Sequence, residues 1–172
     1  MSVIDTIKTR RSVREFNPNG KVSEKQLQDV LEAALAAPSS GNLQDWFFLI
    51  IKNQKTKQRL ISEGACHQDF ILNAPIIIVV CGRSHLISQR YGSRGLRYSI
   101  QNAAAATQNI LLAAHSLGLA SCWIGSFNDQ KVRQVLNLSD SYLPLAMIPL
   151  GLAAETPTVP QRKSLKAVSK II

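Results

Sequence analysis

The sequence predicts one layered domain in which helices pack around a small β-sheet, as an α+β or an α/β fold. A chain of 172 residues is long enough for one domain. Hydrophobic residues make up 45 % of it and charged residues 18 %, which is the composition of a globular protein. Segments of helical periodicity alternate with short β-branched apolar runs, and this alternation favours layers of helix and sheet. We therefore expect residues 1–172 to form a single domain.

Two amphipathic helices are predicted near the start of the chain, and each begins at a serine that can cap it. Ser2 and Ser23 are followed three residues later by Asp5 and Gln26, which is the spacing of a capping box. Pro38 is expected to stop the second helix. The apolar residues that mark the two helix faces are Val3, Ile4 and Ile7 in the first and Leu27, Val30, Leu31 and Ala34 in the second.

Four short apolar runs and three further helical segments complete the predicted elements. The strands are expected at residues 46–51, 76–80, 121–124 and 145–150, and the helices at residues 54–62, 99–117 and 129–136. Gly118 is expected to end the longest helix, and the alanines at 103–106 would let a second helix approach it closely. Residues 82–98 are basic, contain three glycines and are expected to be rich in loops.

The chain carries a net charge of +9, from 20 Lys and Arg against 11 Asp and Glu. This balance attracts anions, whether nucleic acid, an acidic membrane surface or a phosphorylated cofactor. Because the basic residues are spread along the chain, nucleic acid is not favoured as a partner. The longest apolar runs, at 46–51 and 74–81, are too short to cross a bilayer, so no membrane partner is expected. Three cysteines without a CxxC pair favour a reducing compartment, the cytoplasm.

Several common motifs of enzyme chemistry are missing from the sequence. It contains no GxGxxG run, no P-loop and no GxSxG nucleophile turn. Its three cysteines and three histidines are scattered and lack the spacing of metal ligands. A bound organic cofactor would therefore have to supply the reactive chemistry.

An arginine-rich run at residues 10–14 is the first candidate site. Its guanidinium groups and a serine hydroxyl are suited to binding phosphate. Cations at the end of a helix also complement the negative end of its dipole, so the run alone leaves both interpretations open. Arg162 and Lys163 could add positive charge to the same phosphate, or form a solvated basic tail.

The loop at residues 38–44 is the second candidate site. Ser-Ser-Gly follows Pro38, and such a backbone can approach a flat ligand closely. The carboxamides of Asn42 and Gln44 each offer a donor and an acceptor, as the pyrimidine edge of an isoalloxazine ring requires. An ordinary connection between a helix and a strand has a similar composition, so this loop alone decides nothing.

Taken in order along nearly the whole chain, these segments resemble the nitroreductase family. The matching segments are residues 10–16 (RRSVREF), 37–42 (APSSGN) with Gln44 and Trp46, 74–80 (APIIIVV), 108–114 (QNILLAA), 118–125 (GLASCWIG) and 149–151 (PLG). The resemblance implies an α+β fold with a mixed or antiparallel sheet of four to five strands flanked by helices. It also implies an obligate homodimer with two FMN sites at the subunit interface, where the alanines at 103–106 would suit close helix packing.

By position, the resemblance implies three groups of FMN contacts. The phosphate and ribityl chain would be held by Arg10, Arg11, Ser12, Arg14 and Arg162, with Lys163 adding charge. The isoalloxazine ring would be lined by Pro38, Ser39, Ser40, Asn42 and Gln44, of which Ser39, Ser40 and Asn42 would come from the other subunit. Backbone N–H groups near flavin N5 and O4 would come from Ile124 and Gly125.

The function implied is that of an FMN-dependent NAD(P)H oxidoreductase that reduces nitroaromatics, quinones or a related small electron acceptor. In a ping-pong mechanism, NAD(P)H delivers hydride and leaves before the acceptor uses the same face, which explains the missing Rossmann motif. Catalysis would depend on positioning and on polarising the flavin, without a catalytic side chain. The alternatives are a non-catalytic flavin-binding protein for storage or sensing, and a family variant such as a reductive dehalogenase.

Asp45 departs from the family pattern, which usually has a proline at this position, between Gln44 and Trp46. A carboxylate pointing towards the pyrimidine end of the flavin would disfavour the anionic reduced form and lower the reduction potential. Residues 82–98 form a shorter segment than the substrate-covering helices of larger relatives, which leaves the substrate open.

Overall fold

A four-stranded antiparallel sheet lies at the centre of the computed structural model, which describes residues 2–172. Its strands are β1 (Trp46–Ile51), β2 (Ile76–Gly82), β3 (Ala120–Ser121) and β4 (Leu143–Gly151). They lie in the order β1-β2-β4-β3, so β2 and β4 are central. All seven residues of β2 are buried, because helices cover both faces of the sheet. The predicted α+β fold is thereby confirmed, with the strands all antiparallel.

The described residues form seven α-helices around this sheet. They are α1 (Val3–Thr9), α2 (Glu24–Leu35), α3 (Gln54–Ser62), α4 (Ser84–Tyr91), α5 (Gly95–Ser116), α6 (Asp129–Leu136) and α7 (Leu165–Val168). The predictions for α3, α6 and β1 are confirmed to the residue.

Both predicted capping boxes are present. The Ser2 Oγ accepts the backbone N–H of Asp5 at 3.1 Å, and the Asp5 carboxylate accepts the Ser2 N–H at 3.2 Å. Ser23 and Gln26 exchange the equivalent bonds at 3.1 and 3.0 Å. These side chains satisfy N–H groups that have no partner inside the helix.

The apolar face of α1 does not pack on the core of this chain. Val3, Ile4 and Ile7 are 73 %, 57 % and 49 % exposed, and the buried side of the helix contributes only Thr6. The face of α2, in contrast, is buried through Leu27, Val30 and Ala34. The same kind of periodicity therefore marks a core face in α2 and a surface apolar face in α1.

The prediction that residues 82–98 are rich in loops is wrong. This segment contains α4, a 3₁₀ turn at Gly92–Arg94 and the first turn of α5, which begins at Gly95 instead of residue 99. Gly95 is a site of close helix packing, because a Cβ there would lie 2.2 Å from the Ser88 Oγ of α4. From the sequence alone, a glycine that is required for close helix packing cannot be told from a glycine that ends a helix.

Ala103 and Ala106 of α5 pack against the core of the same chain. Ala103 and Ala106 are buried in the same apolar cluster as Val30 and Ala34 of α2, so the neighbour that approaches α5 closely is α2. The suggestion that this alanine face packs across a subunit interface is therefore wrong for Ala103 and Ala106. At the end of α5, Gly118 has a φ of +74°, as expected for a glycine that terminates a helix.

The predicted strand at residues 121–124 is shorter and less regular than expected. Regular pairing covers only β3, and Ile124 then forms an isolated bridge with Met147 of β4. The chain leaves the sheet between Ser121 and Ile124, so the strand is shorter than the apolar run at residues 121–124 predicts.

Candidate functional site

Four arginines line one cleft beyond the end of α1. The cleft has a volume of about 670 Å³. It is lined by Arg10, Arg11, Ser12, Arg14, Glu155, Thr156, Pro157, Thr158, Pro160 and Arg162. The structure thus brings together all five residues predicted to hold the phosphate and ribityl chain. Lys163 is exposed and lies outside this lining.

Backbone pairing between distant parts of the chain builds the cleft. The N–H of Asn17 donates to the carbonyl of Leu152 at 2.9 Å, and the N–H of Ala154 donates to the carbonyl of Glu15 at 2.8 Å. The N–H of Val13 donates to the carbonyl of Ser121 at the edge of the sheet, at 3.1 Å. The arginine run is therefore an extended segment held between the sheet and residues 152–155, which places Arg162 beside it.

Glu155 is the acidic residue of the cleft, and it does not neutralise the arginines through an ion pair. Its carboxylate accepts the backbone N–H groups of Arg14 and Glu15, the latter at 3.1 Å. The ion pairs within the described residues lie elsewhere on the surface. The Nη1 atom of Arg11 donates to the carbonyls of Lys8 and Arg10, at 2.7 and 2.9 Å, and no carboxylate within residues 2–172 forms an ion pair with the guanidinium groups of the cleft.

Arg10 shows the need for an anion most directly. Its Nη1 atom is buried and has no hydrogen-bond partner among the described residues. Burial lowers the pKa of Arg10, and the neighbouring charge of Arg162 lowers it further. A buried donor without a partner, beside a like charge, is costly unless an anion occupies the site. A phosphate would satisfy the donor and offset both charges, so these residues fit the phosphate of FMN.

The loop at residues 38–44 has an unusual backbone conformation. Gly41, Asn42 and Gln44 have φ values of +58°, +56° and +47°, in the left-handed region that favours glycine. The N–H of Gln44 donates to the Ser39 Oγ at 3.0 Å. The Ser40 N–H donates to Oδ1 of Asn102 in α5, at 2.9 Å. These side-chain contacts hold a turn that the backbone alone would not favour, and they leave Asn42 and Gln44 exposed.

Asp45 points into the protein and away from any ligand at the loop surface. It is 0 % exposed, and its carboxylate accepts hydrogen bonds from Nδ2 of Asn102 at 2.6 Å and from the hydroxyl of Ser99. The predicted effect of Asp45 on the flavin potential required the opposite orientation. The reason for the difference is the pair of polar donors that α5 presents to the carboxylate.

Asn102 is the site residue that the sequence interpretation missed. Ser99 and Asn102 are buried polar residues, three positions apart, on the same face of α5 as the core residues Ala103 and Ala106. Such polar interruptions of an apolar stripe require partners in the core. They were the available signal that a buried polar group, here Asp45, lies opposite.

The predicted backbone donors of Ile124 and Gly125 differ in availability. The Ile124 N–H donates to the carbonyl of Met147 at 2.9 Å, so it cannot serve a ligand, and this part of the prediction is corrected. The Gly125 N–H makes no hydrogen bond within residues 2–172. A Cβ at Gly125 would have the Trp123 Nε1 as its nearest neighbour, at 3.9 Å. Gly125 therefore offers both an amide and open space to a ligand.

The loop at 38–44 and the arginine cleft are separate in the protomer, since the loop contributes no residue to the cleft. Within residues 2–172, no group of three or more His, Cys, Asp or Glu side chains could hold a metal ion. The three cysteines are buried, and burial raises the pKa of Cys81 to about 12. No helix among the described residues combines the length and the hydrophobicity needed to span a membrane.

Comparison with known proteins connects this chain to one family. The model of the Nitroreductase family matches residues 7–152. The chain is 33 % identical over 161 residues to a protein of Methanothermobacter thermautotrophicus that is provisionally named NADH dehydrogenase/NAD(P)H nitroreductase, with coverage of 91 % of this chain and 80 % of that protein.

Two solved structures show the same fold. One, from Parabacteroides distasonis, has the same provisional name, a TM-score of 0.85 and 28 % identity, and the match covers 98 % of this chain and 96 % of that one. The other, from Exiguobacterium sibiricum, is provisionally assigned as a nitroreductase and was solved in complex with FMN. Its TM-score is 0.89 at 19 % identity, with coverage of 100 % and 98 %.

Proposed function

Because this chain belongs to the nitroreductase family, we propose that it is an FMN-dependent oxidoreductase that uses NAD(P)H to reduce nitroaromatics, quinones or a related small electron acceptor by ping-pong hydride transfer. The observation that carries the proposal is Arg10, whose buried Nη1 atom lacks a partner in a cleft with three other arginines. The name of the archaeal relative and the FMN complex of the Exiguobacterium protein support it.

Each part of the site has a distinct binding role in this proposal. Bound FMN would supply the hydride-accepting chemistry. Arg10, Arg14 and Arg162 would hold its phosphate through charge-assisted hydrogen bonds. The amide of Gly125 would donate to the polar edge of the ring, and the exposed carboxamides of Asn42 and Gln44 would contact its pyrimidine end. Positioning by these groups lowers the barrier without a catalytic acid or base.

We also propose that the protein functions as a homodimer. The loop at 38–44 and the arginine cleft are separate within one protomer, so the loop of one copy would complete the cleft of the other. Apolar side chains are exposed on α1 and along the C-terminal segment, where Leu165, Val168 and Ile171 are 79 %, 61 % and 99 % exposed. Patches of this kind mark surfaces that bind another protein.

The test of FMN binding uses the double variant Arg10→Ala with Arg14→Ala. Each lost charge-assisted hydrogen bond is worth about 1.5–3 kcal/mol, so the Kd of FMN should rise by at least about 100-fold. The fold should persist, because removing Arg10 relieves its repulsion with Arg162. Fluorescence titration of the apoprotein with FMN measures the affinity, and circular dichroism verifies the fold.

The matched control is Lys25→Ala with Lys55→Ala, which removes the same charge at exposed positions outside the cleft. It should bind FMN as the wild type does. Stoichiometric FMN in the Arg10/Arg14 variant would refute the proposed phosphate site. Wild-type protein that binds FMN but is not reduced by NADH or NADPH would instead be a non-catalytic flavin-binding protein.

A further inference from the structure

Asp45 is buried and does not reach the proposed ligand-binding surface. It is nevertheless hydrogen-bonded to Asn102, the residue that holds the loop at 38–44. We propose that Asp45 is a positioning residue, which sets the orientation of the Asn102 side chain and thereby anchors the loop at 38–44. The expected effect of Asp45 on FMN affinity rests on the proposed function, whereas its expected effect on the loop conformation does not.

The contacts form a chain from the core to the loop. Nδ2 of Asn102 donates to the Asp45 carboxylate at 2.6 Å. Oδ1 of the same carboxamide accepts the Ser40 N–H at 2.9 Å and the Ser40 hydroxyl at 3.2 Å. The Ser99 hydroxyl donates to the other carboxylate oxygen and contributes nothing to the loop. Asp45 and Asn102 are 0 % and 4 % exposed, so water does not compete for these bonds.

The chemistry of a carboxamide explains why the orientation depends on Asp45. Asn102 has one end that only donates and one that only accepts. An ionised carboxylate only accepts, so it pairs with the donating end and turns the accepting end towards Ser40. Without a carbonyl or carboxylate at position 45, only the bonds to Ser40 favour this orientation over the flipped one, and the donating end of the carboxamide loses its buried partner. The flipped amide would place N–H groups against the N–H of Ser40 and lose the bond.

The loop needs such an anchor because its own backbone is strained. Asn42 and Gln44 adopt the left-handed conformation without being glycine. Residues in such conformations persist where their surroundings hold them. The Arg90 Nη1 also reaches the carbonyl of Gly41, at 3.4 Å, but Arg90 is an exposed side chain. The Asp45–Asn102–Ser40 link is the buried attachment of the loop.

Hydrogen exchange in the FMN-free protein tests the anchor directly. In Asp45→Ala, the Ser40 amide should exchange at least about tenfold faster relative to the amide of Val79, a core residue of β2 that reports global opening. Asp45→Asn should restore slow exchange, because its carbonyl can accept from Asn102 while its NH₂ donates to the Ser99 hydroxyl. Ser99→Ala is the matched control, since it removes a buried bond of the same carboxylate and leaves the link to the loop.

Flavin titrations test the consequence for the ring. Because the loop would contact the ring and not the phosphate, Asp45→Ala should raise the Kd of FMN and of riboflavin by the same factor, about tenfold. The Arg10/Arg14 double variant should weaken FMN and leave riboflavin unchanged. Asp45→Asn and Ser99→Ala should bind both flavins within about threefold of the wild type.

The outcomes separate this inference from the proposed function. Unchanged relative exchange at Ser40 in Asp45→Ala, or equal acceleration in Ser99→Ala, overturns the anchor. Wild-type protein that binds no flavin overturns the proposed function and leaves the exchange result to decide the anchor. If Asp45→Ala does not fold, Asn102→Ala breaks the same link from its other end, and slow exchange at Ser40 in that variant also overturns the inference.

Discussion

His115 lies where the arginine cleft meets the end of α5, and its charge is sensitive to what the cleft contains. Its Nε2 lies 2.8 Å from the Thr9 Oγ1, and it shares a cavity with Arg10, Arg11 and Glu155. Burial lowers the pKa of His115, and the charges of Arg10 and Arg11 lower it further. The imidazole therefore responds to any change in the positive charge of this region.

Binding of FMN should raise the pKa of His115, because a phosphate dianion offsets the charges of Arg10 and Arg11. A group whose pKa is higher in the complex takes up a proton on binding. His115 should thus favour FMN binding at low pH, and this contribution is lost as the pH rises through the pKa of the complex. NMR titration of the imidazole with and without FMN measures the shift, and His115→Gln identifies the resonance. A pKa that falls or stays constant on FMN binding would place the phosphate elsewhere.

In the FMN-free protein, low pH has the opposite consequence, because protonation of His115 lowers the free energy of unfolding. The pKa of folded His115 lies below its ordinary value of 6.5, so the unfolded state binds more protons as the pH falls through this interval. The contribution of His115 to the free energy of unfolding therefore rises with pH up to about 6.5 and is constant above it.

At the scale of single residues, the sequence predicts which residue types form the site better than it predicts where their polar groups point. The five cleft residues Arg10, Arg11, Ser12, Arg14 and Arg162 could be named because their order along the chain carries the resemblance. The inward orientation of Asp45 could not be predicted, since it depends on where Asn102 lies in three dimensions. The same is true of the Ile124 amide, which is used by a strand that is distant in sequence.

At the scale of the elements, a buried lysine joins α3 to the start of β2. Lys57 is 2 % exposed, and its Nζ donates to the carbonyls of Ala74 and Pro75 at 2.5 and 3.0 Å. Burial lowers the pKa of this ammonium. The two carbonyls precede the first residue of β2, so Lys57 holds the helix against the point where the chain enters the sheet.

Lys57→Met should lower the free energy of unfolding by about 2–4 kcal/mol, because two carbonyls lose their donor while the apolar stem is retained. Urea denaturation followed by circular dichroism measures the change. The control is Lys55→Met, on the exposed side of the same helix, which should alter stability by less than about 0.5 kcal/mol. Equal stability of the two variants would show that the carbonyls find other partners.

Helices and strands whose ends are marked by nearby residues could be predicted from the sequence. Those whose ends depend on contacts with distant parts of the chain could not. The capping residues Ser2 and Ser23 and the apolar run of β1 act within a few residues, and their elements begin where the sequence indicates. The helices within residues 82–98 could not be predicted from local signals. Gly95 looks like a helix breaker in the sequence, but it is required because α4 packs closely against α5 at this point. β3 is shorter than predicted, since only Ala120 and Ser121 pair regularly with β4, and this pairing is not visible in the local sequence.

At the scale of the whole molecule, the exposed face of α1 should form part of the proposed dimer interface. Val3→Glu with Ile7→Glu places two charges on this face and should raise the dimer dissociation constant by about 100-fold or more. Sedimentation measures the mass, for which one protomer contributes 18.9 kDa. FMN affinity should fall in parallel, because the cleft would lose the loop of the other copy.

The control for this pair is Gln58→Glu with Gln130→Glu, which adds the same charge at exposed polar positions of α3 and α6. It should remain dimeric. A wild-type protein that sediments at 18.9 kDa at micromolar concentration while binding FMN would show that one protomer suffices.

Arg10 and Arg162 line the same cleft, although 151 residues separate them along the chain. During synthesis the arginine run leaves the ribosome early, while the arginine that joins it follows only after the whole sheet has been translated. A nascent chain therefore cannot present the complete cleft before Arg162 has left the ribosome. A chain that ends before residue 162 would therefore have this cleft with three of its four arginines.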